Sequence, residues 1–373
     1  MRVSFPRVGV IGAGQLARMM VPPATELGVP LTLFASTSED SAAQICEHIV
    51  GDYKDSAAVL AFAKTVDVIT FEHEQIPQSV IRTLELNGIK VYPKADSFIY
   101  SQDKLAMRKK MNELGLPNPL WQEFDGGELN IAFPLIAKTT TGGYDGSGVF
   151  TIYSQSELDE LHRKVGAPLL LEEKVQFQFE IAIMVARSPH GQAATWAPTL
   201  TIQRDGICIS TVTPVPNLSE ELAVQATTIA LKIAQGISLV GVMAVELFIV
   251  DESLVINELA LRPHNSGHWS IEGAVTSQFE QHLRAILDLP LGNTALTNTW
   301  AVMGNILGGD KPDMYRPYLH LMARTPSLKF HHYRKEIKAG RKIGHVTLLG
   351  EDLLELQSEV SHALDYLSGA IDE

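Results

Sequence analysis

Apolar and polar positions alternate along this chain in two rhythms. Short apolar runs at residues 7–11, 31–34, 67–71 and 89–92 are separated by stretches with helical spacing. That alternation predicts a parallel sheet with helices on its faces, an α/β arrangement. The first run ends in Gly12-Ala13-Gly14 and enters a helix at Gln15, in which Pro22-Pro23 predicts a kink or an early end. A further helix runs from Lys104 to Leu114 and is stopped by Gly115, with Pro117 beyond. Strands follow at 134–138, 149–153 and 168–171, a helix at 222–235, strands at 241–250 and 254–259, and a helix at 279–287. Apolar runs at 302–307 and 346–349 read as strands of a small terminal subdomain. The expected domains are residues 1–100, 101–176 and 177–373.

The runs 241–250 and 254–259 each carry a single carboxylate, Glu246 and Glu258. Paired as a hairpin about a turn at Asp251-Glu252-Ser253, they place the two carboxylates opposite each other. Like charges facing across a ladder destabilise it, so the pair calls for a proton or a shared cation. A magnesium ion held by one or two carboxylates and by substrate phosphates meets that need. Immediately after comes Leu261-Arg262-Pro263-His264-Asn265-Ser266-Gly267-His268-Trp269, polar and rich in donors.

Composition narrows the setting. The chain has 373 residues, 45% hydrophobic and 20% charged, with a net charge of -13. An acidic balance excludes a broad nucleic-acid or anionic-membrane surface. The two cysteines, Cys46 and Cys208, are too few for a disulfide framework and suit a reducing compartment. The start of the chain lacks a signal-peptide pattern, and no apolar run approaches the roughly 18 residues of a membrane span. A cytoplasmic, soluble protein is expected.

Three further stretches carry candidate chemistry. The Gly12-Ala13-Gly14 turn allows backbone N–H groups at a helix start to approach a phosphate, or serves tight strand-to-helix packing. An acid at the end of the second strand, as a nicotinamide dinucleotide requires, is missing. Glu72 and Glu74 lie at the carboxyl end of a predicted strand, the ligand-binding edge of such sheets. Between the strands at 134–138 and 149–153, the segment 139–148 carries four glycines, suited to folding over a polyphosphate, with Lys138 at its base. The strand at 168–171 breaks into Glu172, Glu173 and Lys174, an arrangement fit for an adenine and a ribose, with Glu180 beyond.

In this order the pieces resemble the ATP-grasp superfamily and, within it, the N5-carboxyaminoimidazole ribonucleotide synthetases, ATP-dependent carboxylases of purine biosynthesis. The resemblance spans nearly the whole chain. It rests on Gly12-Ala-Gly-Gln15-Leu16, Gly142-Gly-Tyr-Asp-Gly-Ser-Gly148, Gly241-Val-Met-Ala-Val-Glu246, Asn257-Glu258-Leu259 and Arg262-Pro-His264-Asn265-Ser-Gly-His268-Trp269. The run 277–285 and Gly340-Arg341-Lys342-Ile343-Gly344-His345 complete it. It implies a Rossmann-like pre-ATP-grasp domain, a central lid subdomain and a C-terminal α+β domain. ATP would be held by Lys104, Lys138, the loop Gly143, Tyr144, Asp145, Gly146, Ser147 and Gly148, then Glu172, Glu173, Lys174, Val175, Glu180, Asn257 and Glu258. Magnesium, as two ions when nucleotide is bound, would sit on Glu246 and Glu258. Gln15, Leu16, Glu72, Tyr144, Asp145, Arg262, His264, Asn265, Lys335, Arg341 and Lys342 would surround the ribonucleotide. Arg262, His264 and Lys138 would act in the chemistry, and the assembly would be a homodimer.

In the implied reaction bicarbonate attacks the γ-phosphate of ATP, and the carboxyl of the resulting carboxyphosphate passes to the amine of aminoimidazole ribonucleotide. The chain departs from the family pattern at Lys104 (usually arginine), Gln203 (often histidine), Leu261 (usually proline) and Ala17 (usually glycine). Competing readings are another ATP-grasp ligase, such as formate-dependent glycinamide ribonucleotide transformylase or biotin carboxylase, a non-catalytic nucleotide-binding relative, and a nicotinamide-dependent oxidoreductase.

Overall fold

A computed structural model describes residues 5–142, 148–309 and 313–371. The N-terminal part alternates β1 (Val8–Ile11), α1 (Gln15–Leu27), β2 (Leu31–Ala35), β3 (His48–Val50), α2 (Ser56–Ala63), β4 (Val68–Phe71) and α3 (Gln78–Leu86). Its four strands are parallel in the order β3-β2-β1-β4. The apolar stretch at 89–92 adds only a single bridge, Val91 to Ile69. The early end expected of α1 at Pro22-Pro23 does not occur, and the helix continues through both prolines to Leu27. Each proline removes one N–H donor from the helix ladder, but Pro23, Met19, Met20 and Ala24 are buried against the sheet, and this packing carries the helix onward.

Two helices, α4 (Ala95–Gln102) and α5 (Lys104–Glu113), lead into the middle part. Asp103 caps α5 by accepting from the Ala106 N–H at 3.0 Å, a contribution of about 1 kcal/mol. Next come β5 (Trp121–Phe124), β6 (Leu135–Thr139), β7 (Val149–Ile152), α6 (Gln155–Val165) and β8 (Leu169–Glu173). They form an antiparallel sheet in the order β5-β8-β6-β7 over its own apolar core. Gly143, Tyr144, Asp145, Gly146 and Ser147, which join β6 to β7, lie outside the described residues.

The rest builds one large sheet from β9 (Phe179–Arg187), β10 (Ala193–Thr195), β11 (Thr199–Arg204), β12 (Ile207–Thr213), β13 (Gly241–Val250), β14 (Ser253–Ala260), β15 (Trp300–Leu307), β16 (Lys329–His332) and β17 (Lys342–Gly350). Its order is β14-β13-β9-β11-β12-β15-β17-β16, with β10 on β9. The expected terminal strands therefore do not form a separate layer: β15 pairs directly with β12 and continues the same sheet. Helix α7 (Glu220–Gly236) covers the hairpin from behind, its Ile229, Ala230 and Ile233 sharing a core with Leu247, Leu254 and Ile256. Helices α8 (Ser270–Gly273), α9 (Gln278–Ile286), α10 (Tyr315–Arg324) and α11 (Leu353–Ser368) complete the chain. The core behind the hairpin also takes in Ile11, Phe34, Ile69 and Phe71, joined to it through helix residues such as Phe62, Leu84 and Phe98.

Candidate active site

The hairpin β13–β14 places the first two functional side chains. Val250 pairs with Ser253, so the turn holds only Asp251 and Glu252, with Asp251 in the left-handed region at φ 53°. The three-residue turn expected from sequence is thus one residue too long. Glu246 nevertheless lies opposite Glu258, because Leu247 pairs with Ile256 and Asn257 is an extra residue, a β-bulge. Along β13, Glu246 and Phe248 alternate with buried Leu247 and Ile249. Without the bulge, Glu258 would share the core face of Leu254 and Ile256; with it, the side chain is exposed on the face of Glu246.

Burial, with the carboxylates of Glu258 and then Glu180, pushes the Glu246 carboxyl up to about 8, against the pull of Arg262 and Lys342. Glu246 and Glu258, facing each other across the ladder, are an all-oxygen pair whose repulsion a divalent cation would relieve, which fits magnesium. Among the described residues no group of three or more His, Cys, Asp or Glu is placed to hold a metal ion. The fit is therefore to an ion whose remaining ligands come from bound phosphates.

On one side of the pair stands Lys138, from the end of β6. Its Nζ lies 2.7 Å from Glu172 Oε2 and 3.5 Å from Asn257 Oδ1. Glu172 Oε1 accepts from Arg108 Nε at 2.6 Å, and all three side chains are nearly or fully buried. Burial alone would raise the Glu172 carboxyl, but Arg108 and Lys138 hold it below the ordinary carboxylate range. Glu172 therefore anchors Lys138, with each of its oxygens taken up by a cation. Sequence reasoning missed Arg108, although it lies on the stripe of Leu105 and Met111 that faces the core, where an unpaired charge is costly.

On the other side lie Arg262 and His264. Arg262 Nε donates to Glu74 Oε2 at 2.7 Å, and His264 Nε2 lies 3.7 Å from Glu246 Oε1. Burial and the cations Arg262 and Lys342 hold the His264 ring well below its usual range, hence neutral. Its Nδ1 meets Ser266 Oγ at 2.9 Å, and its backbone N–H donates to Gln278 Oε1 at 2.7 Å. Asn265 is engaged elsewhere, exchanging amide hydrogen bonds with Asn305 at 2.8 and 2.7 Å. His268 is buried between Gln278 and the ring of His345, 4.9 Å away, and serves the packing of that run.

Glu180, half-buried on β9, is raised by burial while a hydrogen bond from Gln203 lowers it, which brings Gln203 to the same face. Glu173 accepts from the Leu120 N–H at 2.8 Å, while Lys174 is exposed and Val175 half-buried. Lys104 opens α5 beside the glycine segment, its N–H bonded to Thr140 O at 2.9 Å, and Gly148 closes that segment by accepting from the Thr139 N–H at 2.9 Å. The Cys208 thiol is pushed up to about 12 by burial and takes no part as a thiolate.

The N-terminal sheet contributes a second cavity of about 580 Å³, lined by Gly14, Gln15, Tyr53, His73, Lys335 and Arg341 among others. Here the structure corrects an expectation. Two amides of this helix start are already taken, because Glu72 accepts from the Gly14 N–H at 2.7 Å and the Ala17 N–H at 3.0 Å. A buried carboxylate satisfies the helix start as a phosphate would, which also argues against a dinucleotide there. A Cβ at Gly14 would collide with that carboxylate, which is the reason for glycine. Glu72 is thus bound to α1 while it also lines the cavity, and Leu16 is buried in the core. Gln15 Oε1 accepts from Lys335 Nζ, which reaches over from the basic segment after β16. Arg341 lines the same cavity, while Lys342 faces Glu246 and His264. The end of β4 joins the two places: His73 lines the cavity and Glu74 holds Arg262.

Known proteins match this arrangement end to end. Residues 5–102 match the ribonucleotide synthetase preATP-grasp domain, residues 110–279 the ATP-grasp domain, and residues 301–359 the phosphoribosylaminoimidazole carboxylase C-terminal domain. An N5-carboxyaminoimidazole ribonucleotide synthase of Mycobacterium tuberculosis is 40% identical over 377 aligned positions, covering 97% of this chain and 88% of that protein. The chain belongs to the N5-carboxyaminoimidazole ribonucleotide synthase family. Among solved structures of that family, the synthetase from Thermus thermophilus superposes with a TM-score of 0.87 at 34% identity, covering 98% of this chain and 99% of that one. The synthase from Aspergillus clavatus, in complex with ADP and 5-aminoimidazole ribonucleotide, does so with a TM-score of 0.89 at 30% identity, covering 99% and 100%. Membership makes the chain an ATP-grasp, ATP-dependent ligase. No helix among the described residues is long and apolar enough to cross a membrane.

Proposed function

We infer that this chain carboxylates the exocyclic amine of 5-aminoimidazole ribonucleotide with bicarbonate, consuming ATP and releasing ADP and phosphate. The observation that carries the reading is the placement of Glu246 and Glu258 between Lys138 on one side and Arg262 and His264 on the other, next to a polar cavity whose lining includes Arg334, Lys335 and Arg341. ATP would lie with its phosphates toward Lys138, whose buried pairing with Glu172 fixes the ammonium before the nucleotide arrives. Lys104, Lys174, Val175, Glu180 and Gly148 border the same nucleotide side.

Phosphoryl transfer to bicarbonate asks mainly for positioning and for neutralisation of charge on the transferred group. Magnesium on Glu246, Glu258 and the phosphates would supply further neutralisation when bound. Arg262 is held by Glu74 in a fixed direction and stabilises the anionic carboxyphosphate. His264 is neutral and contributes a hydrogen bond there, not a charge. The carboxyl carbon then forms its bond to the amine, phosphate leaves, and the amine gives up one proton. Lys335, Arg341 and Gln15 hold the ribonucleotide phosphate and sugar in the cavity, with Lys342 between the two places. The proposed working state is a homodimer in the cytoplasm.

The test is ADP release with bicarbonate, in the presence and absence of aminoimidazole ribonucleotide. Strong stimulation by that nucleotide is expected. Stimulation by formate with glycinamide ribonucleotide instead would move the substrate assignment and leave the ATP chemistry standing.

A further inference from the structure

Arg108 has no place in the reaction just described, yet it is a fully buried cation with four hydrogen bonds to oxygen beside the site. It lies on α5 one turn beyond Lys104 and has no exposed surface. Its Nε donates to Glu172 Oε1 at 2.6 Å. Nη1 donates to Asn118 Oδ1 at 3.1 Å and to the Ile256 carbonyl at 2.7 Å, and Nη2 to the Asn257 carbonyl at 2.7 Å. One planar group thus touches the carboxylate that fixes Lys138 and, through its other nitrogens, the two carbonyls at the bulge.

The bulge makes that contact possible. In a regular strand, carbonyls of successive residues point to opposite edges, and no single guanidinium reaches both. The extra residue, Asn257, turns its carbonyl to the edge that Ile256 already faces. That edge belongs to the outermost strand of the sheet; among the described residues it is held by Pro117 O, accepting from the Ile256 N–H at 2.9 Å, and by Arg108. Neutralising Glu172 does not by itself require Arg108, since Lys138 is already 2.7 Å from that carboxylate. The carbonyl contacts are what a lysine, a point donor without the planar fork, would not reproduce.

We propose that Arg108 is a positioning residue that locks the bulge at Asn257, and so the face on which Glu258 lies, and ties it through Glu172 to Lys138. The proposal rests on the reading of Glu246 and Glu258 as the magnesium carboxylates. It makes the metal side and the lysine side of the nucleotide site one mechanical unit.

The test compares wild type, Arg108→Lys and Arg108→Gln by calorimetric titration with ADP, once with magnesium and once with a chelator, alongside thermal unfolding. Arg108→Lys keeps a cation beside Glu172 and is the variant expected to stay folded. Wild type should bind ADP more tightly with magnesium. In Arg108→Lys that gain should shrink by about tenfold or more, the size found when groups behind metal ligands are removed. A lower melting temperature with an unchanged magnesium gain would mean that Arg108 only supports the fold, and would overturn the proposal. A wild type without any magnesium gain would instead overturn the metal assignment itself, and this inference with it.

Discussion

Glu246 lies opposite Glu258 although the turn between them is one residue shorter than that pairing requires, and Asn257 makes up the difference. Deleting Asn257 should therefore remove the bulge and leave Glu258 next to Ile256, still opposite Glu246 but without the Asn257 carbonyl and amide that Arg108 and Lys138 meet. Nucleotide-dependent activity should fall through loss of those two contacts, without the large loss of stability that a buried carboxylate would bring. Glu258→Gln is the milder probe: the carboxylate is exposed, so the melting temperature should move little, while kcat falls by roughly a hundredfold or more. Steady-state kinetics and melting curves check both, and near-normal turnover in Glu258→Gln would place the metal elsewhere.

Glu172→Gln should act on Lys138 at a distance from the chemistry. The change leaves Lys138 and Arg108 buried with one anion fewer, and breaking a buried pair costs on the order of 3 kcal/mol. KM for ATP should rise about tenfold, because the ammonium is no longer fixed. A variant with lowered stability but an unchanged KM would show that Glu172 does not orient Lys138.

Glu72→Ala removes the carboxylate from the start of α1. The lost cap should lower stability by about 1–2 kcal/mol. KM for aminoimidazole ribonucleotide should rise more than KM for ATP, since Gln15 and Gly14 line only the second cavity. Equal changes in both constants would count against that division.

His282 makes the fold sensitive to acid. The Val242 N–H donates to its Nδ1 at 3.1 Å, so the ring proton is on Nε2 and is given to Thr70 Oγ1, 2.8 Å away on β4. Burial lowers the ring from 6.5 to about 3. A base whose folded value is depressed gives stability that is complete above 6.5 and is lost as pH falls toward about 3. The loss should be about 1.4 kcal/mol per pH unit in that window. Gln at this position can keep both hydrogen bonds without titrating, so His282→Gln should show a shallower fall in chemical-denaturation stability between pH 6.5 and about 5. An unchanged slope would assign the acid sensitivity to other groups.

The parallel N-terminal strands, the β6–β7 hairpin and the Glu246–Glu258 pair were legible because each rests on local pattern: apolar runs, glycine turns, one carboxylate per strand. What escaped depends on partners far away in sequence. The glycine turn looked open to a phosphate because Glu72, which fills it, is 58 residues from Gly14. Arg108 gives no local signal within its Lys-rich helix, because its partners on β8 and β14 lie 64 and 149 residues away. Pro22 and Pro23 read as a break because local propensity carries no information about the sheet beneath them. The family motifs named Arg262, but not Glu74, the acid that aims it.

The run of pairing from β14 through to β16 has a consequence for how this polypeptide tolerates shortening. Residues 301–359 match a family of their own, which invites their treatment as a detachable module. Yet Ser210 through Thr213 on β12 pair with Ala301 through Gly304 on β15. Cutting before β15 would bare a row of backbone donors and acceptors in mid-sheet and strip Ala301 and Met303 from the cluster around Trp269 and Met184. A shortened chain should therefore pair with its own copies along that raw edge and precipitate, so the unit that must be inherited, expressed and swapped is the whole sheet.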